Sequence, residues 1–193
     1  MDPRIHLLQS FAKPCSNICN DYFNKGAKTW QKADKSFVSE ADIKVNDFII
    51  SQIHSQFAED AILSEESPDD HKRLECEYTW VIDPIDGTSE FISGSPEFCV
   101  MICLLRNNKP FYANITIPQE QKAYWGGPGF ALNEIDLITG QQREIDAISS
   151  DPKALVISKS RAGKQISEFA QQQGLKSFRC GSDRKSTRLN SSH

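Results

Sequence analysis

The sequence predicts a mixed α/β protein whose sheet is largely antiparallel, and three observations support this fold class. Apolar residues recur every three or four positions through much of the first 57 residues, which is the pattern of amphipathic helices. Three β-type runs follow at close spacing, over residues 98–105, 111–117 and 122–125, as in an antiparallel meander. Short apolar strands at 61–63 and 78–82 each end in acidic residues.

The first helix is predicted to begin at Asp2-Pro3, with Asp2 as the N-cap and Pro3 as the first helical residue. Its apolar stripe runs over residues 5–22. Pro14 falls inside this stripe and lacks the N–H that a helix interior uses. We therefore expect Pro14 to kink the helix or to split it.

The segments that follow are predicted from their polarity and spacing. Residues 24–35 are polar and indicate an exposed loop or hairpin, and a second helix is predicted from near Ser39 to Phe57. A helical turn is expected at 89–92, between the acidic strand and the meander. The glycines of Gly126-Gly-Pro-Gly129 are predicted to close the set of strands.

The C-terminal part of the chain is more polar. Residues 136–151 indicate a linking hairpin or loop, a strand is predicted at 154–157, and a helix at 166–173. Residues 184–193 contain one large apolar side chain, so they cannot supply a core element and should be disordered. They also resemble translated adapter or vector sequence, which predicts a non-native tail.

The composition excludes several classes of protein. The 193 residues carry a net charge of -4 with Lys and Arg spread along the chain, which argues against nucleic-acid binding. No apolar run approaches the roughly 20 residues that cross a bilayer, and no signal-peptide region follows the first residues. The six cysteines form no C-x-x-C pair, which predicts reduced thiols in a cytoplasmic protein.

The most informative stretch is Trp80-Val-Ile-Asp-Pro-Ile-Asp-Gly-Thr88. It sets the carboxylates of Asp83 and Asp86 three residues apart on a turn that leaves an apolar strand. Short, stiffly held carboxylates suit a hard cation such as Mg²⁺. Gly87 permits a sharp turn, and a helix that begins at Thr88 would offer free N–H groups to an anion. Metal and phosphate can therefore meet at this turn.

Each acidic group also has a purely structural interpretation. Asp-Pro and Asp-Gly are common turn dipeptides. Ser39-x-x-Asp42 can be a helix-capping pattern, and Glu65-Glu66 can be a solvated loop. An EF-hand is excluded because its loop places acidic residues at positions 1, 3 and 5 before the glycine.

Three sequence blocks, taken together, resemble the inositol monophosphatase superfamily of lithium-sensitive, Mg²⁺-dependent phosphomonoesterases. They are Lys32-Ala-Asp-Lys-Ser-Phe-Val-Ser-Glu-Ala-Asp42, Ser64-Glu-Glu-Ser67 and Trp80-x-x-Asp-Pro-Ile-Asp-Gly-Thr-x-x-Phe91. Phe37 stands where the superfamily usually has Pro, and Ser39 where it usually has Thr. The resemblance implies a layered α/β sandwich. Its N-terminal metal-binding α+β domain would span residues 1–150, and residues 151–183 would form the start of an incomplete C-terminal α/β domain.

The resemblance also implies a set of metal ligands. By position, Glu65, Asp83 and the backbone carbonyl of Ile85 would hold the first Mg²⁺, and Asp83 and Asp86 the second. Two or three Mg²⁺ ions are expected in all. Carboxylates this close repel one another, so bound metal is expected to stabilise the fold.

The remaining site residues are carried over in the same way. Asp42 and the Thr88 hydroxyl would orient and polarise the attacking water, as catalytic residues. The N–H groups of Gly87 and Thr88 would bind the substrate phosphate, and Ser89 and Glu90 would contact the substrate.

The substrate is expected to be a small phosphorylated metabolite. Thr88-Ser-Glu-Phe91, Val156-Ile-Ser-Lys-Ser-Arg161 and Gly181-Ser182 are similar to segments of bacterial 3'(2'),5'-bisphosphate nucleotidases, which favours the 3'-phosphate of adenosine 3',5'-bisphosphate. The segment 91–98 is instead similar to the histidinol-phosphatase branch. Histidinol phosphate and inositol phosphates remain alternatives, and a catalytically dead phosphate-binding module is the alternative from another class.

Superfamily members carry a later Trp-Asp-x-Ala-Ala motif that gives another Asp to the second metal, and this chain contains no Trp-Asp dipeptide. We therefore expect a fragment of an active phosphatase, nearly inactive by itself, with a weakly held second metal. The resemblance also allows a homodimer.

Overall fold

The structure is a computed structural model that describes residues 1–33, 36–69 and 71–145, residue 171 and two further strands. The predicted N-terminal helix is split into α1 (Pro3–Ser10) and α2 (Ala12–Lys25). Asp2 is the N-cap of α1, as predicted, and its side chain accepts the Arg4 N–H. Because Pro14 has no N–H to donate to the Ser10 carbonyl, α1 ends at Ser10, and Pro14 itself lies in the first turn of α2.

The next elements are a hairpin and the longest helix. Strands β1 (Thr29–Gln31) and β2 (Phe37–Ser39) pair antiparallel, which confirms the hairpin alternative for the polar segment. Helix α3 (Glu40–Gln56) begins at Ser39 with a complete capping box: the Asp42 N–H reaches the Ser39 hydroxyl and the Ser39 N–H reaches the Asp42 carboxylate. The predicted capping pattern is therefore confirmed.

Within the described residues, the main sheet has seven strands, which are ordered as in the sequence. Strand β3 is parallel to β4, and every later neighbour is antiparallel, so the predicted largely antiparallel sheet is confirmed. Helix α4 lies between β4 and β5. The bounds are β3 (Ala61–Ser64), β4 (Tyr78–Asp86), α4 (Thr88–Ile92), β5 (Cys99–Arg106), β6 (Lys109–Ile117), β7 (Lys122–Gly127), β8 (Phe130–Asp136) and β9 (Gln142–Ile145), with 3-10 turns at Lys72–Leu74 and Pro118–Glu120.

The prediction that Gly126-Gly-Pro-Gly129 closes the set of strands is wrong, because β8 and β9 follow. Gly126 and Gly127 lie within β7. A Cβ on Gly127 would collide with the carbonyl oxygen of Phe111, on the neighbouring strand. These glycines therefore permit a close backbone approach inside the sheet rather than ending it.

The core lies between the helices and one face of this sheet. Among the described residues, the largest fully buried side chains are Trp80, Phe11 and Phe98, and residues from α1, α2 and α3 pack around them. Cys15 and Cys19 are wholly buried in this core as free thiols, in line with their apolar positions in the sequence.

The C-terminal part of the chain contributes a parallel pair, β10 (Ala154–Ser158) and β11 (Lys176–Cys180). The strand predicted at 154–157 is confirmed. The helix predicted at 166–173 lies outside the described residues except for Gln171, which is helical. The predicted tail at 184–193 also lies outside them, and the domain boundary at 151 stays a prediction. Within the described part of the chain, every helix is too short or too polar to span a bilayer.

Candidate metal and phosphate site

A bulge at the end of β4 turns two carboxylates to one face of the sheet. Residues three apart on a regular strand point to opposite faces. Here Asp83 pairs with Met101 and Asp86 with Cys99, so β4 contains one residue more than β5 between the two pairs. Since Met101 and Cys99 share a face, Asp83 and Asp86 share it too. The bulge has the same effect on the opposite face, where Ile82 and Ile85, also three residues apart, both face the core.

The turn after the bulge depends on Gly87. Its backbone is left-handed, with φ 91° and ψ 38°. A Cβ at this position would lie 2.8 Å from the carbonyl oxygen of Glu97, so the turn requires glycine for both its conformation and its space. Helix α4 begins at the next residue, Thr88. The predicted sharp turn followed by a helical turn is therefore present.

The hydroxyl of Thr88 connects this turn to the start of α3. It lies 3.1 Å from Oδ1 of Asp42 and 3.0 Å from the carbonyl oxygen of Ile85. The other carboxylate oxygen of Asp42, Oδ2, accepts the N–H and the hydroxyl of Ser39 at 2.8 and 2.5 Å. Asp42 and Thr88, which are 46 positions apart in the chain, are thus held in one hydrogen-bond network.

Asp42 is almost completely buried, with 1% of its surface exposed. Burial raises its pKa from the usual 3.8 to about 6, because the charged carboxylate loses its hydration. The hydrogen bonds from Ser39 and Thr88 act in the opposite direction and lower this pKa. Asp42 is therefore a carboxylate that changes its charge close to neutral pH.

The loop that carries Glu65 and Glu66 is held by a polar network from α3. Asn46 accepts the Ser64 hydroxyl at 2.6 Å and donates to the Ser67 hydroxyl at 3.1 Å. The Glu65 N–H donates to the carbonyl of Ile82 at 3.2 Å. This bond places the backbone of Glu65 beside the residue that precedes Asp83.

A lysine from the hairpin loop reaches the same acidic loop. Nζ of Lys32 lies 2.7 Å from Oε1 of Glu66 and 3.9 Å from Oε1 of Glu65. The side chain of Glu66 is 5% exposed, whereas that of Glu65 is 53% exposed. The largely buried side chain of Glu66 is thus held in a partly buried ion pair with Lys32, and Glu65 faces solvent with a looser contact.

The structure brings some of the predicted site residues together and leaves others apart. Asp42, Thr88 and Ile85 share hydrogen bonds, and Asp83 and Asp86 share a face. Among the described residues, no three His, Cys, Asp or Glu side chains lie close enough to hold an ion as they stand. The carboxylate of Glu65 would have to turn inward to join the aspartates.

The substrate residues predicted on α4 differ in exposure. Ser89 is exposed and Glu90 is half-buried. Their carbonyl oxygens accept N–H groups from the end of the helix, Ser89 from Ser93 at 3.1 Å and Glu90 from Ser95 at 2.8 Å. The roles of both side chains toward a substrate stay predictions.

Three residues of this region were absent from the predicted site: Lys32, Asn46 and Glu66. Lys32 and Glu66 stand inside the sequence blocks that carry the resemblance, which is a signal that they belong to the region. Their pairing joins positions 34 apart, however, and spacing alone does not indicate it. Asn46 lies on the buried side of α3, one turn after Asp42. A polar residue on the apolar face of a predicted helix was the sequence signal that could have indicated its role.

The donor atoms fit a hard divalent cation. Glu65, Asp83 and Asp86 offer carboxylate oxygens, and Ile85 offers a carbonyl oxygen at the bulge. Mg²⁺ and Ca²⁺ prefer such oxygen ligands, whereas the described region contains no thiolate or imidazole set that would suit a softer metal. The residue types therefore fit the predicted cation, and the side chains would complete the site by moving toward one another.

Superposition on solved structures shows which class of proteins shares this fold. A staphylococcal inositol monophosphatase, solved as an inhibitory complex soaked in LiCl, superposes with a TM-score of 0.81 over 96% of this chain and 69% of its own, at 16% identity. A CysQ from Bacteroides thetaiotaomicron superposes with a TM-score of 0.76 over 93% of this chain and 73% of its own, at 20% identity. The chain has the fold of these enzymes.

Sequence comparison then gives the family. The sequence model of the inositol monophosphatase family matches residues 1–192, so the chain belongs to this family. It is 33% identical over 144 residues to the 3'(2'),5'-bisphosphate nucleotidase CysQ of Escherichia coli, which covers 74% of this chain and 57% of that protein. The chain thus matches somewhat more than half the length of this relative.

Proposed function

We propose that this chain carries the metal-binding and water-activating part of a Mg²⁺-dependent phosphomonoesterase that acts on a small phosphorylated metabolite. One observation carries the proposal. The Thr88 hydroxyl lies within hydrogen-bond distance of both the buried carboxylate of Asp42 and the carbonyl of Ile85, between the two aspartates of the bulge. A proton acceptor, a hydroxyl and a candidate set of cation ligands therefore meet at one point.

The hydroxyl of Thr88 has one proton for two neighbouring acceptors. When the Thr88 hydroxyl donates to Asp42, its oxygen can accept a hydrogen bond from a water molecule and so orient that water. Asp42 keeps the hydroxyl in this orientation, because its other oxygen is fixed by Ser39. With a pKa raised to about 6, Asp42 is ionised at neutral pH and can accept a proton through Thr88.

Bound divalent cations would neutralise the phosphate and make the water more acidic. We propose Glu65, Asp83 and the Ile85 carbonyl as ligands of one Mg²⁺ and Asp83 and Asp86 as ligands of a second, with two or three ions in all. A staphylococcal relative was solved as an inhibitory complex with lithium, which supports inhibition of this protein by Li⁺ as well.

Phosphate binding is proposed for the start of α4. The left-handed Gly87 turns the chain so that its N–H and that of Thr88 lie at the beginning of this helix, where an anion finds N–H donors. Ser89 and Glu90 follow on the first turn and are proposed to contact the rest of the substrate.

We propose that the substrate is adenosine 3',5'-bisphosphate and that its 3'-phosphate ester is the bond hydrolysed. The 33% identity to a 3'(2'),5'-bisphosphate nucleotidase supports this choice. Histidinol phosphate and inositol 1-phosphate are the alternatives from the same family. The proposed place of action is the cytoplasm.

Single-turnover hydrolysis tests the function, with the 193-residue protein in excess over each of the three substrates. We expect slow phosphate release that requires Mg²⁺, is fastest with adenosine 3',5'-bisphosphate, and is lost in Asp83→Asn. Asp47→Asn, on the exposed side of α3, is the matched control and should retain the rate. Equal, metal-independent rates on all three substrates would contradict the proposal.

A catalytically dead phosphate-binding module is the second candidate. Lys32 favours it, because its ammonium group already compensates the charge of Glu66 and approaches Glu65 without any metal. This candidate predicts that adenosine 3',5'-bisphosphate binds in a calorimetric titration with no phosphate release over many hours.

A further inference from the structure

The residue that faces Asp86 across the sheet is a cysteine. In the register of β4 and β5, Asp86 pairs with Cys99 just after the bulge. The side chains of directly paired antiparallel residues share a face and interact. Sγ of Cys99 lies 3.6 Å from Oδ2 of Asp86, and because an ionised carboxylate can only accept, the thiol is the donor of this hydrogen bond.

The two partners differ in exposure. Cys99 is 2% exposed, whereas Asp86 is half-buried. A cation that arrives from solvent therefore reaches the carboxylate and not the thiol. Cys99 thus has the place of a group that acts on a metal ligand rather than that of a ligand itself.

Asp86 lies where its strand ends. It is the last residue of β4 that pairs with β5, and the left-handed Gly87 then turns the chain. Outer-shell hydrogen bonds fix the orientation of metal-binding side chains, and the loss of one typically lowers metal affinity roughly 10–100-fold. A thiol is a weak donor, although a bond to an ionised acceptor is stronger than one between neutral groups. We therefore expect an effect at the lower end of this range.

We propose that Cys99 is a positioning residue that orients the Asp86 carboxylate for a divalent cation. The thiol holds Oδ2 toward β5, which limits the orientations that the carboxylate can take before the cation binds. Less conformational freedom is then lost on binding, so the affinity for the cation is higher. This inference rests on the proposed function, in which Asp86 is a ligand of the second Mg²⁺.

Cys99→Val and Cys99→Thr are a matched pair for the test. Both β-branched side chains have the same shape and suit a strand, but only threonine offers a donor to Asp86. Calorimetric titration of the full 193-residue chain with MgCl2 measures the weaker binding step. We expect Cys99→Val to lower this affinity about tenfold and Cys99→Thr to restore most of it. Cys103→Val, on the same face of β5 but opposite Val81, should bind Mg²⁺ as wild type does.

Infrared spectroscopy tests the contact itself in the metal-free protein. A hydrogen bond to a carboxylate lowers the stretching frequency of the S–H group. The band of Cys99 is the one that Cys99→Thr lacks, and Asp86→Asn should shift it to higher frequency, because a neutral amide is the weaker acceptor. Asp47→Asn, exposed on α3, should leave the band in place.

The outcomes separate this inference from the proposed function. Equal Mg²⁺ affinity of Cys99→Val and Cys99→Thr, with normal binding by wild type, would overturn the positioning role and leave the phosphatase proposal standing. A lower Tm of Cys99→Val than of Cys99→Thr, without any difference in Mg²⁺ affinity, would likewise overturn it and show a merely structural role. An S–H band that does not move in Asp86→Asn would overturn the hydrogen bond, and a wild type that binds no Mg²⁺ would overturn both proposals.

Discussion

Replacing Thr88 with valine removes the hydroxyl that joins Asp42 to the acidic turn while preserving the shape of the side chain. The hydroxyl has two acceptors, at 3.1 and 3.0 Å, but only one proton, so one hydrogen bond is counted. A hydrogen bond to a charged group contributes about 1.5–3 kcal/mol. Asp42 is 1% exposed, so water cannot readily replace the lost donor. We therefore expect Thr88→Val to lower the free energy of unfolding by about 2 kcal/mol at pH 8.

The loss should depend on pH, with a sign fixed by the charge of Asp42. The Thr88 hydroxyl lowers the pKa of Asp42, which lies at about 6, so the bond is strongest when the carboxylate is ionised. The difference between wild type and Thr88→Val should therefore grow as the pH rises through 6 and shrink below it. Urea denaturation at pH 5 and pH 8, without divalent cations, measures both values.

Thr88→Ser is the matched control, because it keeps the hydroxyl and loses one methyl group. It should cost less than about 1 kcal/mol, with little dependence on pH. If Thr88→Val and Thr88→Ser are equally stable at pH 8, the hydroxyl does not stabilise the Asp42 carboxylate and the reasoning about this network fails.

Three further predictions concern the pH dependence and the framework of the site. The native state binds more protons at Asp42 than the unfolded chain between pH 4 and 6. This contribution to stability therefore falls as the pH rises through that window, by about 3 kcal/mol for a pKa raised from 3.8 to about 6, and Asp42→Asn should remove the slope in urea titrations. Gly87→Ala should lower the Tm clearly more than Gly94→Ala. Both glycines are left-handed, but of these two only Gly87 would bring a Cβ close to a carbonyl oxygen, at 2.8 Å. Equal losses of Tm in the two variants would contradict this. Arg4→Met should destabilise by about 3–5 kcal/mol, because it removes the two hydrogen bonds from Arg4, at 2.7 and 2.8 Å, and leaves the buried Asp60 with the Trp80 indole N–H but without this compensating cation. Arg4→Lys keeps the positive charge and should destabilise less.

Local signals were sufficient for much of the fold. Asp2-Pro3 predicted the start of α1, and Pro14 predicted the division of the first helix, because both act through the N–H groups of their own neighbourhood. The break lies at Phe11 because Pro14 lacks the N–H that would bond the carbonyl of Ser10, four residues earlier, so α1 ends at Ser10. The apolar runs likewise predicted β5, β6 and β7, since alternation within one strand is a local property.

The features that were missed depend on contacts between distant segments. Gly126 and Gly127 were interpreted as the end of the sheet, but they are required by the backbone of the neighbouring strand, which sequence spacing does not show. The pairing of Lys32 with Glu66 joins a hairpin loop to the end of β3 and has the same origin. The common face of Asp83 and Asp86 depends on a bulge that becomes visible only in the register with β5.

The central claim is that the acidic side chains at the ends of β3 and β4 assemble around a divalent cation. Thermal melts with and without millimolar Mg²⁺ test it directly, on wild type, Asp83→Asn and the exposed control Asp47→Asn. At a Mg²⁺ concentration of about ten times Kd, binding should add about 1.4 kcal/mol and raise the Tm of wild type and the control by roughly 3–5 °C. Asp83→Asn should show no such rise. An unchanged wild-type Tm, or an equal rise in Asp83→Asn, would contradict the claim.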